Sequence, residues 1–362
     1  MVITIGWGIT SRCNMTCGYC YSKETRSLCA DVSLTECKAF IDDNYQHIAA
    51  INYGTGENTL IDHWFELVEY VRKKYSHIRM ALTTNGYLAE SVKNDEYAEI
   101  VRSSIDEVDV SLDFGNRKLQ NSIRKCSQSY DWVMETLSFC RSCGIPVTIV
   151  VVGLEDTLHL DNMAEIFEIA EAFGAMVRLN IYRPVIECGY EPPKLDTVIR
   201  FLDWVHEYHD ICAISDPLFS AAFLGQKRVD PSGSCSFRVL PDGSICISTY
   251  LLTDAYRVGR ITDPQALQRV AQTPLVLTTV NRTPPEECIE CRLLNHCQGG
   301  AIDRRFLSYG TTSVRDPYCP KRWGFNDLPL RHYRLSGQDA VSIHDSYLPT
   351  MIFRPKTRQP AV

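Results

Sequence analysis

Residues 146–180 read PVTIVVVGLEDTLHLDNMAEIFEIAEAFGAMVRLN, and this stretch decides the fold. Pro146 to Val152 is the most strand-like segment of the chain, a run of β-branched residues that predicts a buried strand. Asn162 to Phe173 repeats its apolar residues at helical spacing, and Ala175 to Asn180 is strand-like again. Strand, helix and strand in that order form a parallel βα unit. Working outward, the same alternation predicts strands at Val2 to Gly8, Ala49 to Tyr53, Arg79 to Thr83 and Val108 to Leu112. Helices fall between them at Ser33 to His47, Leu60 to Tyr75, Tyr97 to Ser103 and Tyr130 to Cys143, the first opened by a capping box of Ser33 and Glu36. Six units predict an α/β fold with an open, partial (β/α)6 TIM-like barrel rather than a closed eight-unit one.

After Tyr182 the pattern changes. Pro184 to Pro193 is rich in turn formers, Asp196 to Tyr208 reads as one more helix, and from Asp216 onward Pro, Gly and Cys replace regular periodicity. Such a segment lacks the apolar content for a core of its own and needs staples. The expected domains are residues 1–215 as the barrel, 216–326 as a small cysteine-rich domain, and 327–362 as a tail without a clear period.

The chain has 362 residues, 45% of them apolar and 22% charged, the profile of a globular protein. No apolar run approaches the roughly 20 residues that span a bilayer. Met1 to Thr10 has no basic n-region, so no secretory signal is read there. The formal net charge of −7 argues against a general nucleic-acid binder. The sequence therefore predicts a cytoplasmic protein with neither nucleic acid nor membrane as partner. Its 16 cysteines, in a long chain read as unexported, point to metal chemistry rather than disulfides.

Cys13, Cys17 and Cys20 lie in CNMTCGYC, directly after the first strand. In βα barrels the loops at the carboxyl ends of the strands carry the chemistry. Three thiolates in so short a loop can hold a [4Fe–4S] cluster with one iron open. A zinc site, or a disulfide with a spare thiol, is the plainer alternative that the spacing favours less.

The C-x3-C-x2-C spacing, with Tyr19 just before the last cysteine, resembles the signature of the radical S-adenosylmethionine (SAM) superfamily. The resemblance implies that the open iron binds the amino and carboxylate groups of SAM, whose cleavage gives a 5′-deoxyadenosyl radical that takes a hydrogen atom from substrate. Gly54-Thr55-Gly56-Glu57 is similar to the family's G-G-E segment, which contacts the SAM amino group, with Thr55 where glycine is usual. Thr84-Asn85-Gly86 resembles the end of the family's third strand. Ser111 and Arg124 stand where related enzymes hold the SAM ribose and carboxylate. Val151 and Leu179 close the fifth and sixth strands, where the family's adenine contacts lie. The resemblance covers residues 1 to 182.

Cys288-x2-Cys291-x5-Cys297, with Cys319 further on, is a second ligand set, and a structural zinc ribbon is its plain alternative. It resembles the SPASM extension of radical SAM enzymes, which implies one auxiliary [4Fe–4S] cluster and makes residues 216–326 a small iron–sulfur domain. Ala301 stands where such proteins usually carry a further cysteine. Cys235 and Cys246 flank Pro241-Asp242-Gly243. They are too few for a cluster of their own without help from Cys188 or Cys212, and are read as relics or as thiols that return a hydrogen atom to substrate. Cys29, Cys37, Cys126, Cys140 and Cys143 are expected to pack as small apolar residues. His206, His209 and His296 are expected to have structural roles.

The leading functional expectation is radical chemistry on a small polar natural-product intermediate (a sugar, aminocyclitol or nucleoside) ending in dehydrogenation, epimerisation, dehydration or decarboxylation. A small-molecule substrate and an electron donor such as flavodoxin or ferredoxin are the expected partners. The ground is that Cys13 comes so early that no leader-binding domain fits before it. The alternatives are a ribosomal-peptide maturase working with a separate leader-binding protein, and a non-catalytic zinc scaffold. Asp109, Asp113 and Glu187 are available as acids or bases near strand ends, and nothing in the sequence singles one out.

Overall fold

The computed structural model describes residues 2–27, 30–336 and 342–356. Six strands appear where the alternation places them: β1 (Ile3–Trp7), β2 (Ile48–Tyr53), β3 (Arg79–Thr84), β4 (Glu107–Ser111), β5 (Val147–Gly153) and β6 (Met176–Ile181). They pair in chain order and all in parallel. Helices Leu34–Asn44, Asp62–Lys74, Asp95–Ser104, Ser129–Cys143 and Leu160–Phe173 connect them. The Ser33 capping box is present: Ser33 Oγ accepts from the Glu36 amide at 3.2 Å, and the Ser33 amide donates to Glu36 Oε2 at 2.8 Å.

The period-2 pleat sorts side chains between two faces. Ile5, Trp7, Ile51, Tyr53, Met80, Leu82, Val108, Val110, Ile149, Val151, Val177 and Leu179 are buried in the main core, against the helices. Their neighbours along the strands, among them Asn52, Thr83, Ser111, Val150 and Arg178, line the concave side. The result is an open barrel with an apolar jacket and a lumen that mixes arginines and other polar side chains with apolar ones.

The second half of the chain extends the same sheet. Its strands are β7 (Asp210–Ile214), β8 (Ser236–Val239), β9 (Ser244–Cys246), β10 (Arg257–Arg260) and β11 (Met351–Arg354), and the order is β10-β9-β8-β1-β2-β3-β4-β5-β6-β11-β7. β8 lies parallel to β1, and β11 runs antiparallel between β6 and β7. The sequence reading missed these strands, and read residues 327–362 as lacking a period. Strands of three to five residues are too short to display alternation, and an edge already in place specifies them.

The tail also fills the lumen. Ile343 packs with Ala50 and Ala81, and a Cβ on Gly6 would lie 1.5 Å from Tyr347 Oη. Small residues on the concave face make room for this segment. The cysteine-rich region instead hangs on buried ion pairs. Arg304 holds Asp316 at 2.6 Å and Asp216 at 2.7 Å, and Arg183 holds Asp303 at 3.4 Å.

Cys37 and Cys140 are core residues as expected, while Cys126 and Cys143 are half-buried. Cys29 lies outside the described residues. His209 packs on Phe167 and Trp204, and His206 on Tyr333. The cysteines among the described residues form no disulfide with one another.

Candidate active site at the mouth of the barrel

The loop leaving β1 brings Cys13, Cys17 and Cys20 to the wall of one cavity of about 190 Å³. Tyr19, Gly54, Thr55, Gly56, Asn85, Ser111 and Arg124 share that wall, so most of the SAM-site residues expected from sequence converge. Asn85 Nδ2 lies 3.7 Å from Cys13 Sγ. Burial pushes the Cys13 thiol up to about 11, so it would ligate as a thiolate only where a metal takes the place of its proton, which is released to solvent.

Arg124, itself buried, closes the otherwise largely exposed helix Arg117–Arg124, whose N-cap Asn116 accepts from the Lys118 and Leu119 amides. Its Nη2 pairs with Asp113 at 2.8 Å and its guanidinium lies over the Tyr19 ring at 5.5 Å. Tyr19 in turn donates its hydroxyl proton to Asp113. Gln120, on the same helix, ties the loop down: its Oε1 accepts from the Asp113 amide at 2.9 Å and its Nε2 donates to the Ser111 carbonyl.

The Gly54–Gly56 turn approaches the cysteine loop so closely that a Cβ on Gly56 would lie 2.5 Å from the Arg12 carbonyl. Thr55 adopts φ 89°, a left-handed conformation that costs a β-branched residue on the order of 1–3 kcal/mol. Its hydroxyl meets Tyr21 Oη at 3.1 Å.

Three sequence expectations need correction. Glu57 does not reach the cavity. It is fully buried, and its oxygens accept from the Thr59 and Thr84 hydroxyls and the Asn85 amide at 2.7–3.0 Å. Burial raises its pKa against those donors, and its part is to brace the ends of β2 and β3. Val151 and Leu179 point into the helix layer, and the cavity is lined instead by Val150, Val152, Arg178, Asn180 and Ile181. Within β5, Val151 and the lining pair Val150 and Val152 differ by one step of the pleat, as do Leu179 and its neighbours Arg178 and Asn180 in β6. Cys235 and Cys246 do not line the cavity either, and Cys246 is buried behind Tyr21 with Leu240 and Leu252. Cys212 sits on β7, and Cys188 meets the Tyr182 hydroxyl at 3.0 Å.

Sequence reading also missed the cation content of the wall. Arg26, Arg178, Arg183 and Arg238 line it besides Arg124, and no carboxylate does so among the described residues. The signal was present for Arg178 and Asn180: polar residues alternating with apolar ones in MVRLNI mark the lumen side of β6.

In the second cysteine region, Cys288, Cys291, Cys297 and Cys319 lie close enough to feel one another's charge. Burial pushes Cys288 up to about 11 and Cys297 up to about 12.

Both thiol sets suit iron–sulfur ligation. The first also suits SAM, because three free thiols, a glycine turn and a buried arginine whose Nε has no hydrogen-bond partner face one cavity. A curled parallel sheet with such a site at its carboxyl edge defines a radical enzyme scaffold. Residues 7–173 match the Radical SAM superfamily, and the chain is a SAM-dependent enzyme for which [4Fe–4S] clusters are the expected cofactors.

Over 339 residues the chain is 23% identical to Mycofactocin maturase MftC of Mycolicibacterium smegmatis, covering 89% of this chain and 83% of that protein. Its fold matches anSMEcpe with bound AdoMet and the Cp18Cys peptide at TM-score 0.69 and 20% identity, covering 90% and 95% of the two chains. It matches Streptococcus suis SuiB bound to precursor peptide SuiA at TM-score 0.70 and 17% identity, covering 88% and 76%. These relatives overturn the expectation of a sugar, aminocyclitol or nucleoside substrate and of a small-molecule partner. That expectation rested on what precedes Cys13, which does not bear on what the cavity accepts. The Radical SAM match and these relatives also set aside the non-catalytic zinc scaffold.

Proposed function

We propose that this chain is a radical SAM maturase acting on a ribosomally made precursor peptide. The observation that carries the reading is the alignment with a maturase across both cysteine regions rather than the barrel alone. When bound, SAM and a reduced cluster on Cys13, Cys17 and Cys20 supply the radical that takes hydrogen from substrate.

The chain's own residues hold and shape that site. Gly54, Thr55 and Gly56 let backbone come close to the SAM amino group, and Arg124, fixed by Asp113 and Tyr19, grips its carboxylate. Ser111 and Asn85 flank the ribose side, and Val150 and Val152 offer the apolar surface for adenine. Tyr21, Tyr182, Tyr250 and Tyr347 wall the cavity against water. Cys288, Cys291, Cys297 and Cys319 hold one auxiliary cluster. Residues 1–215 form the catalytic unit and 216–326 the auxiliary-cluster unit.

Flavodoxin or ferredoxin serves as electron donor. A reducing cytoplasm suits a chain rich in free thiols, and no helix among the described residues is long and apolar enough to cross a membrane.

The test is anaerobic reconstitution with iron and sulfide counting, followed by incubation with SAM, a reductant and the short peptide encoded beside this chain's gene. The expected result is 5′-deoxyadenosine together with a mass change in the peptide. Formation of 5′-deoxyadenosine with an unaltered peptide would refute the substrate.

A further inference from the structure

His344 is fully buried, yet it belongs to the wall of the cavity that Cys13, Cys17 and Cys20 share. Its Nδ1 lies 3.1 Å from Asp109 Oδ2 and 3.5 Å from Glu107 Oε1. Carboxylates accept and do not donate, so Nδ1 is the nitrogen that donates to them and Nε2 is the one left for another partner. That Nε2 is buried and has no hydrogen-bond partner.

We propose that His344 is the acid–base group of the reaction cavity, with Asp109 and Glu107 as its positioning carboxylates. The inference rests on the peptide-maturase reading and deepens it: the substrate is one with an X–H group beside the reacting centre whose proton must move during the reaction. The proton passes from the substrate's X–H group to Nε2. The bonding pair stays on X, an N–H bond forms, and the imidazolium charge is met by the carboxylate behind it.

The surroundings fit an acid–base pair better than a metal site. Glu107 Oε1 already accepts from Ser342 Oγ at 2.9 Å and from the Ile343 amide at 3.0 Å, while Oε2 faces Arg79 at 3.3 Å. Asp109 Oδ1 faces Arg178 at 3.4 Å. These donors occupy the oxygens a cation would need.

The arrangement is also costly unless used. Residues Ser342 to Tyr347 fill the lumen through apolar and hydroxyl contacts, and a leucine at position 344 would do so without an unpaired nitrogen. Glu107 and Asp109 stand two apart on β4 and so share its lumen face. Asp109 is thereby singled out from the other carboxylates near the strand ends.

Two measurements test this. In the reconstituted enzyme with SAM and the precursor peptide, His344→Asn keeps a donor toward Asp109 and removes Nε2. The ratio of modified peptide to 5′-deoxyadenosine is expected to fall about 10²–10⁴-fold. An unchanged ratio overturns the proposal.

Independently of any substrate, ¹⁵N-histidine NMR of the holoprotein should show one ring protonated at Nδ1 with a bare Nε2, and Asp109→Asn should change the signal of that Nδ1. A ring protonated at Nε2 in place of Nδ1, or an Nδ1 signal indifferent to Asp109→Asn, overturns the proposal. A wild-type enzyme that leaves the peptide unmodified would refute the peptide reading, and the NMR result would still decide His344.

Discussion

Cys13, Cys17 and Cys20 hang from the end of β1, a strand hydrogen-bonded to β2 on one side and β8 on the other. Cys288, Cys291, Cys297 and Cys319 sit between β10 and β11, on loops and short helices. In the first region the sheet sets the positions of the thiols, so a loop of a few residues suffices. In the second, long-range charge pairs do that work: Arg304 reaches both Asp216 and Asp316, and Arg183 reaches Asp303. A metal loop on a sheet inherits its geometry, whereas one without a sheet must be tied down by polar side chains and by the metal itself.

The sharpest way to break this contrast is to remove one thiol from each region. Cys17→Ala should abolish 5′-deoxyadenosine formation and lose the iron of that centre, leaving the circular dichroism of the barrel unchanged. Cys297→Ala should lose the other iron and also open residues 288–319 to limited proteolysis. Equal protease resistance in the two variants would erase the distinction.

Arg304→Met comes next, because it leaves Asp216 and Asp316 buried without their cation. We expect a loss of about 3–5 kcal/mol in denaturant unfolding. This site also has a pH signature. Burial pushes the Asp216 carboxyl up, but Arg304 and Arg183 overcome it and hold the group below its usual range. Its stabilisation is therefore complete above the unfolded aspartate pKa of about 3.9 and is lost as pH falls through the lower folded value. Acid melting curves of wild type and Arg304→Met should converge in that range.

A smaller effect is expected on the barrel side. Gly6→Ala sets a methyl against Tyr347 Oη and should cost about 1–3 kcal/mol. Tyr347→Ala in the same chain should recover much of that cost, which a double-mutant cycle measures. Smallest of all, Ser33→Ala removes the capping box and should cost about 1 kcal/mol with no change in iron content.

Much of the barrel was legible because its signals are local. Six strands and the helices between them follow from alternating periodicity, and Ser33 with Glu36 marks a helix start through neighbours three residues apart. The cysteine motif, the glycine turn, Asn85, Ser111 and Arg124 were legible as a series of strand ends. Val151 was misplaced because a strand of β-branched residues such as VTIVVVG reads alike in either parity and the helices packed on it choose the face, whereas for Leu179 the polar alternation of MVRLNI already marked the other face. Glu57 looked like a ligand because a carboxylate beside glycines suggests one, whereas three nearby donors claim it. β11 and His344 lie far along the chain from the elements they join, so no local pattern announces them.

The sequence by itself determined the parallel βα scaffold, its open form and the thiol sets that hold metal, because each depends on residues a few positions apart. Tertiary structure alone decided which side chains face the lumen, that the tail returns to fill it, and that His344 meets Asp109 across 235 residues of chain. Those outcomes depend on burial and on charge pairing across the barrel, which arise only once the sheet has curled and the tail has threaded into it.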